Sequence, residues 1–219
     1  AEKRTAFLNE NRLKSSAELA GSFNAVVFSP PDLALVNDGP AARRRFLDIA
    51  IGQLYPNYIS LLRSYNKAVL QRNQTLKSYR YDPSLSVMLD IFEDEIASNG
   101  LKLTALRKRY TERLKKYIPD IYSGLSSGRE TLSAEYISPT PPETLSEALK
   151  ASRKEDMQNC VTSVGPHRDD IIFLINGLNV RNYGSQGQRR STALAVKLAQ
   201  AEVISSISGE YPVCLLDDV

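Results

Sequence analysis

The sequence has 219 residues, 42% of them hydrophobic, and a formal net charge of +3, which is the composition of a globular protein of one or two domains. It contains one histidine, two well-separated cysteines and no apolar run that approaches the ~20 residues needed to span a bilayer. A multi-histidine metal site is therefore excluded, a disulfide framework and a transmembrane helix are not expected, and a cytoplasmic protein with buried cysteine thiols is expected.

The first third of the chain changes from a strand to helices. The run "NAVVFSP" (24–30) is β-branched and aromatic and leads into two prolines, which predicts a strand followed by a turn. In "GPAARRRFLDIAIGQL" Pro40 occupies a first-turn helix position, and apolar residues recur at helical spacing from Pro56 to about Leu76. Two successive helices are therefore predicted.

Two more helices are predicted in the middle of the chain. "YDPSLSVMLDIFEDEIASNG" has Asp82 as an N-cap and is expected to end at Gly100. From Leu101 onward apolar positions mark one face of a further helix. The segment "SGLSSGRE" (123–130) is typical of a flexible connector.

Two clusters of cations are candidate DNA contacts. On the helix from Leu101, seven cations accompany one acid, Glu112, which is enough to neutralise several phosphates. Such a run is also typical of an ordinary solvated helix face, and this alternative stays open. The second cluster is the arginine triplet at 43–45, where the neighbouring Phe46 favours partial packing. The candidates are Arg43, Arg44, Lys102, Arg109, Arg113 and Lys116.

The last third alternates strands and helices. "TLSAEYIS" (131–138) alternates like a strand, and Thr140 with Glu143 has the spacing of a capping box for the next helix. The "NG" in "DDIIFLINGLNV" (169–180) predicts a hairpin. A helix follows "YGSQGQ" up to about Ser208, and "YPVCLLDDV" is expected to be a buried strand.

Two short motifs in this last third carry chemistry. Glycines around Ser185, at the start of a helix, expose backbone N–H groups to which a phosphate can bind. The apolar run ending at Asp217 and Asp218 delivers carboxylates to the carboxyl end of a sheet, where ligands of α/β proteins bind. Each motif alone has an ordinary structural interpretation, as a helix start or the beginning of a loop. Their order along the chain is that of the signature motif and Walker B strand of ABC-type ATPases.

Five segments resemble, in order and spacing, the RecF family of bacterial DNA replication and repair ATPases. The resemblance runs from Phe23 to Val219, and the segments are "FSPPDLALVNDGPAARRRFLD", "YNKAVLQRN", "GPHRDD", "NYGSQGQRR" and "PVCLLDDV". It implies a mixed, helix-rich α/β fold: part of an ABC-ATPase head, at 1–38 and 131–219, interrupted by a helical subdomain at 39–130. It also implies an ATP-dependent head-to-tail homodimer that acts with RecO and RecR at gapped DNA, without sequence-specific base contacts.

The resemblance also implies roles for individual residues. Ser185, Gly187 and Gln188 match the signature that contacts the γ-phosphate of ATP bound by the opposite subunit. Asp217 matches the Walker B aspartate that holds Mg²⁺, and Asp218 takes the place of the catalytic acid. The shorter side chain of Asp218, where most ABC ATPases have glutamate, suggests slow hydrolysis.

The "GPHRDD" segment contains two further candidates. Arg168 is either an internal ion pair with the adjacent acids or a phosphate contact in trans. His167 is interpreted as a turn histidine bonded to the backbone.

A complete nucleotide site also needs a P-loop, in which a glycine precedes Lys and Ser or Thr. None of the eleven glycines is followed by lysine. The chain is therefore expected to be an internal fragment that neither binds ATP tightly nor hydrolyses it by itself. Another SMC-related repair ATPase head and a non-catalytic helical partner-binding module remain the alternatives.

Overall fold

The computed structural model describes residues 5–13, 22–79 and 81–217. The helices are α1 (Ala34–Asn37), α2 (Pro40–Leu54), α3 (Pro56–Tyr79), α4 (Ser86–Ser126), α5 (Leu145–Asn159), α6 (Val180–Tyr183) and α7 (Gln186–Ser208). The strands are β1 (Phe7–Leu8), β2 (Asn11–Arg12), β3 (Ala25–Phe28), β4 (Leu132–Ile137), β5 (Asp170–Ile175), β6 (Leu178–Asn179) and β7 (Val213–Leu216). The predicted mixed, helix-rich α/β class is confirmed. No helix in these ranges combines the length and apolar character that crossing a membrane requires.

The chain divides into two compact units. The first comprises Ala1–Ile59, Arg109–Glu135 and Ile171–Val219, and the second comprises Ser60–Lys108 and Tyr136–Asp170. The division predicted from the sequence, with a helical subdomain at 39–130, stays a prediction.

In the first unit, β3 and β7 form a parallel pair with Val26 opposite Cys214 and Phe28 opposite Leu216. Alternation along β3 buries Val26 and Phe28, and Val26 packs with Ala201 and Ile204 of α7. The helix ends at Gly209, whose φ of 80° is the left-handed conformation that glycine adopts at helix ends. This turn returns the chain to the sheet.

The sequence predicted that β7 is a buried strand, and within the described residues this is wrong. Its four residues are all exposed, with Leu215 at 56%, because its described strand neighbour is β3 on one side. Cys214 is therefore an exposed thiol rather than a core residue, while Cys160 is half-buried.

A three-stranded sheet in the order β4-β5-β6 contains the predicted hairpin. Asn176 and Gly177 connect β5 to β6 with φ values of 49° and 81°, as a two-residue turn with a positive φ at both positions requires. The Asn176 side chain accepts from the Thr131 amide at 2.9 Å, which ties the turn to the start of β4. The hairpin prediction is confirmed.

Helix α4 corrects the predicted helix end at Gly100, because it runs without a break from Ser86 to Ser126. A Cβ atom on Gly100 would lie 2.6 Å from Leu145 Cδ2 and 3.3 Å from Pro166. The glycine therefore marks a close packing contact within the second unit rather than a helix end.

The predicted capping box at Thr140 is also wrong. Residues Pro142–Thr144 form a 3₁₀ turn first, and α5 begins at Leu145 with Thr144 as its N-cap.

Candidate functional site

The start of α7 is held by reciprocal hydrogen bonds between two of the predicted signature residues. The Ser185 hydroxyl accepts from the Gln188 amide at 3.2 Å, and the Ser185 amide donates to Gln188 Oε1 at 2.7 Å. This is a capping box in which glutamine takes the third helical position. The conformation of the turn is therefore set by its own side chains.

The two glycines of the motif differ in what surrounds them. A Cβ atom on Gly184 would lie 2.6 Å from the Val180 carbonyl oxygen, so packing inside the chain requires glycine there. At Gly187 the nearest atom to such a Cβ is Ser185 Oγ at 4.0 Å, and the position is exposed. Packing within the described chain gives no reason for a glycine at 187.

The amides of the first helical turn are the chemical feature of this site. The backbone amide of Gln188 donates to the Ser185 hydroxyl. The backbone amides of Gln186 and Gly187 have no acceptor among the described residues, and they lie at the exposed start of a 23-residue helix. Unpaired amides and the positive end of the helix dipole together favour an anion such as phosphate.

An acid follows β7 at the carboxyl edge of the parallel sheet. Asp217 is exposed directly after β7, and its amide donates to the Phe28 carbonyl at 2.9 Å. An exposed carboxylate at this edge fits Mg²⁺, which prefers oxygen ligands. No cluster of three or more metal-binding side chains lies within the described ranges, and Asp218 falls outside them.

Another acid, Asp32, follows β3 and was not predicted from the sequence. Asp32 accepts from the Ser29 amide at 2.9 Å and pairs with Lys197 of α7 at 2.7 Å. Ser29 directly follows Phe28, which is paired with Leu216, so this motif begins at the same sheet edge as Asp217. The serine–aspartate spacing of three in "SPPD" is the sequence signal that could have shown it.

The "GPHRDD" segment lies in the second unit, where its side chains form hydrogen bonds with other residues of the same unit. Arg168 is exposed, and its Nη2 donates to the Thr162 carbonyl at 3.0 Å. His167 Nε2 contacts the same carbonyl oxygen at 2.9 Å, so it is the donor, and Nδ1 then accepts from the Tyr65 hydroxyl at 2.6 Å. Burial raises the pKa of Tyr65 above its ordinary value, which keeps its proton available for this bond.

Asp169 of the same segment is 1% exposed and accepts from Ser138 at 2.9 Å and from Tyr136. Burial, and then the charge of Asp169, raise the pKa of Tyr136. Arg107 is also buried and donates to the Pro166 carbonyl at 2.7 Å. One of the seven cations counted on the basic helix is therefore a structural residue.

The candidate DNA contacts differ in how far their side chains are exposed to solvent. Lys102, Arg109 and Lys116 are exposed on α4 and Arg113 is half-buried. Arg44 is half-buried on α2.

Arg43 is different, since it is 4% exposed and donates from Nη1 to the Asp38 carbonyl at 2.7 Å. Its placement contradicts a role as a DNA contact. Instead, it holds the turn that precedes α2.

The mixed α/β fold, the capped start of α7 and the acid at the end of a parallel strand are the features expected of part of an ABC-type ATPase head. Over nearly its whole length, the chain is similar to one such protein, RecF. "DNA replication and repair protein RecF" of Agathobacter rectalis is 39% identical over 212 residues, which are 97% of this chain and 59% of that protein. RecF of Listeria welshimeri is 41% identical over 224 residues, or 98% of this chain and 60% of that protein.

Solved structures give the same result. A RecF–ATP structure described as part of the RecFOR pathway superposes with a TM-score of 0.91 at 36% identity, covering 98% of this chain and 60% of that one. A RecF–ATPrS structure superposes with a TM-score of 0.88 at 36% identity, covering 96% and 59%. No protein-family model matches the chain. The chain thus spans about three fifths of the length of its curated relatives.

Proposed function

We propose that this chain is the signature-bearing part of a RecF-like, ATP-dependent DNA-binding protein that works in recombinational repair and replication restart. The observation that carries the proposal is the start of α7, where a capped turn presents the exposed amides of Gln186 and Gly187. The 39–41% identity to RecF proteins over almost the entire chain supports it.

In the proposed dimer, each α7 faces ATP bound by the other subunit. The Gln186 and Gly187 amides and the Ser185 hydroxyl donate to the γ-phosphate, and the helix dipole adds to the attraction. Gln188 holds the turn in shape through its side chain. ATP therefore bridges two subunits, and its hydrolysis releases them.

Asp217, at the sheet edge, and the next residue in the sequence, Asp218, are proposed to act on the nucleotide bound by the same subunit. Asp217 would hold Mg²⁺ directly or through water, and the bound ion would supply positive charge next to the phosphates. Asp218 polarises the attacking water. A P-loop from outside this sequence is required for tight ATP binding, so the 219-residue chain alone is not expected to hydrolyse ATP.

The proposed substrate is gapped DNA, bound through its backbone. Arg109, Arg113 and Lys116 recur at helical spacing on α4, and cations on one helix face suit phosphates rather than base edges. RecO and RecR are the proposed protein partners, in line with the RecFOR pathway named for the similar structures.

Sedimentation velocity on a full-length protein carrying this segment, with and without ATP and Mg²⁺, tests the proposal. We expect ATP to shift the wild type to a dimer and a Ser185→Arg variant to stay monomeric, because the larger cationic side chain fills the space next to the amides. Identical behaviour of the two proteins would show that the turn is only a helix start.

A further inference from the structure

The contact that orients the Gln188 side chain comes from outside α7. Gln188 Nε2 donates to Glu130 Oε1 at 2.7 Å. Glu130 belongs to the segment after α4, which the sequence suggested was a flexible connector. The structure instead shows this residue in a specific contact with the signature turn.

The other oxygen of the same carboxylate is bonded as well. The hydroxyl of Tyr122, which is 1% exposed, donates to Glu130 Oε2 at 2.8 Å. Burial, with the hydrogen bond to Glu130 as a further cause, raises the pKa of Tyr122 above its ordinary value. Both carboxylate oxygens of Glu130 are therefore fixed by neighbours.

This arrangement selects one of the two orientations of the Gln188 amide. An ionised carboxylate only accepts hydrogen bonds, so it faces the NH₂ group of Gln188 and turns Oε1 towards the Ser185 amide. The reverse orientation would place two acceptors together at Glu130 and two donors together at Ser185. Glu130 thereby sets the capping box that shapes the turn.

We propose that Glu130 is a positioning residue for the nucleotide signature, acting through Gln188 on the geometry of Ser185 and of the Gln186 and Gly187 amides. The inference rests on the function proposed above. The signature acts on ATP held by the other subunit, so Glu130 affects the ATP-driven dimer and not the binding of ATP by a monomer.

The test compares Glu130→Ala with Glu135→Ala in a full-length protein carrying this segment. Both variants replace glutamate with alanine, so the change in charge and size is the same. Glu135 is exposed on β4, which makes it the control. Three quantities are measured for each protein: the melting temperature, the ATP affinity of the monomer, and the ATP-driven dimerisation constant by sedimentation. We expect Glu130→Ala to weaken dimerisation about tenfold, the effect of losing about 1.4 kcal/mol. The melting temperature should fall only modestly, because the buried Tyr122 hydroxyl loses its acceptor, and the ATP affinity of the monomer should stay unchanged.

Glu130→Gln serves as the conservative variant. Its amide oxygen still accepts one bond from Gln188, so dimerisation should recover in part. Wild-type dimerisation in Glu130→Ala, or an equal loss in Glu135→Ala, would overturn the inference while Ser185→Arg still tests the function itself. A parallel drop in melting temperature and monomer ATP affinity would also overturn it, since Glu130 would then be an ordinary stabilising residue. Absence of any ATP effect on the wild type would instead remove the proposed function.

Discussion

Arg72 Nη1 and Asp156 Oδ2 lie 2.7 Å apart in the second unit, and neither side chain has any solvent exposure. The guanidinium also contacts Glu93 at 3.1 Å, the Thr162 hydroxyl at 3.0 Å and the Leu149 carbonyl at 3.1 Å. A buried cation is tolerated only when acceptors surround it in this way. Arg72 therefore joins α3, α4 and α5 at their common centre.

Replacing Arg72 should strongly destabilise the protein. In Arg72→Met, Asp156 loses its buried counter-charge, whereas Glu93 keeps its pair with Arg153. Removing one partner of a buried pair typically costs about 3–5 kcal/mol. The free energy of unfolding from urea denaturation measures the loss. Arg63→Met on the same helix is the control, because Arg63 is exposed and its loss should change the free energy by about 0.5 kcal/mol or less. Equal effects would mean that the network contributes nothing specific.

A second prediction concerns the two glycines inside α4. Alanine normally stabilises a helix interior by about 1 kcal/mol relative to glycine. At Gly124 the added Cβ would meet no atom within 4 Å apart from its own stretch of helix backbone, so Gly124→Ala should raise the melting temperature.

Gly100→Ala should lower the melting temperature, since the added methyl group would lie 2.6 Å from Leu145 Cδ2 and overpacking costs about 1–3 kcal/mol. Opposite signs for the two variants in differential scanning calorimetry are the expected result. A stabilised Gly100→Ala would show that Leu145 moves aside without cost.

These two glycines show where sequence reasoning succeeds and fails. Local rules predict the hairpin at Asn176, a strand within 24–30 and the start of α7, because the residues that decide them are neighbours in the sequence. The role of Gly100 depends on Leu145, and the pairing of Arg72 depends on Asp156, which is 84 positions away. Such partners cannot be found without the fold.

The candidate site shows the same division. The motif alone names Ser185, Gly187 and Gln188 as candidates. The role proposed for Glu130 cannot be found in this way, because it depends on a hydrogen bond with Gln188 across 58 positions. Arg43 was misassigned to DNA, since a charged triplet in a sequence does not reveal which arginine points inward. The buried Arg43 guanidinium donates to the Asp38 carbonyl, a partner that the triplet itself does not reveal.

The free energy of unfolding should depend on pH in the alkaline range, because the buried Tyr65 ionises less readily in the folded state. The pKa of Tyr65 in the folded state is raised by burial, so the unfolded chain loses this proton first, near pH ~10. The contribution of Tyr65 is therefore fully present below about pH 10 and is lost as the pH rises further. In urea denaturation between about pH 9 and 11, Tyr65→Phe should reduce the slope of unfolding free energy against pH, by up to about 1.4 kcal/mol per pH unit. An unchanged slope would mean that Tyr65 ionises equally in both states.

DNA binding should depend on the cations of α4. Changing Arg109, Arg113 and Lys116 together to glutamine should weaken binding to gapped DNA and reduce the slope of log affinity against log salt by up to about 3, one for each phosphate that is no longer neutralised. Fluorescence anisotropy over a salt series measures both quantities. The control changes three exposed cations of α3, namely Arg63, Lys67 and Lys77, to glutamine. A similar reduction in both proteins would reflect net charge alone and contradict the assignment.

The last prediction separates the two glycines of the signature turn. Gly184→Ala should destabilise the fold by about 1–3 kcal/mol, because its Cβ would lie 2.6 Å from the Val180 carbonyl oxygen. Gly187→Ala has open space and should leave the melting temperature unchanged or slightly higher. Its methyl group would nevertheless hinder the close approach of a phosphate to the first-turn amides, so ATP-driven dimerisation should weaken about tenfold or more. If Gly187→Ala dimerises like the wild type, the amides at 186 and 187 do not contact ATP, and the exposed start of α7 has another role.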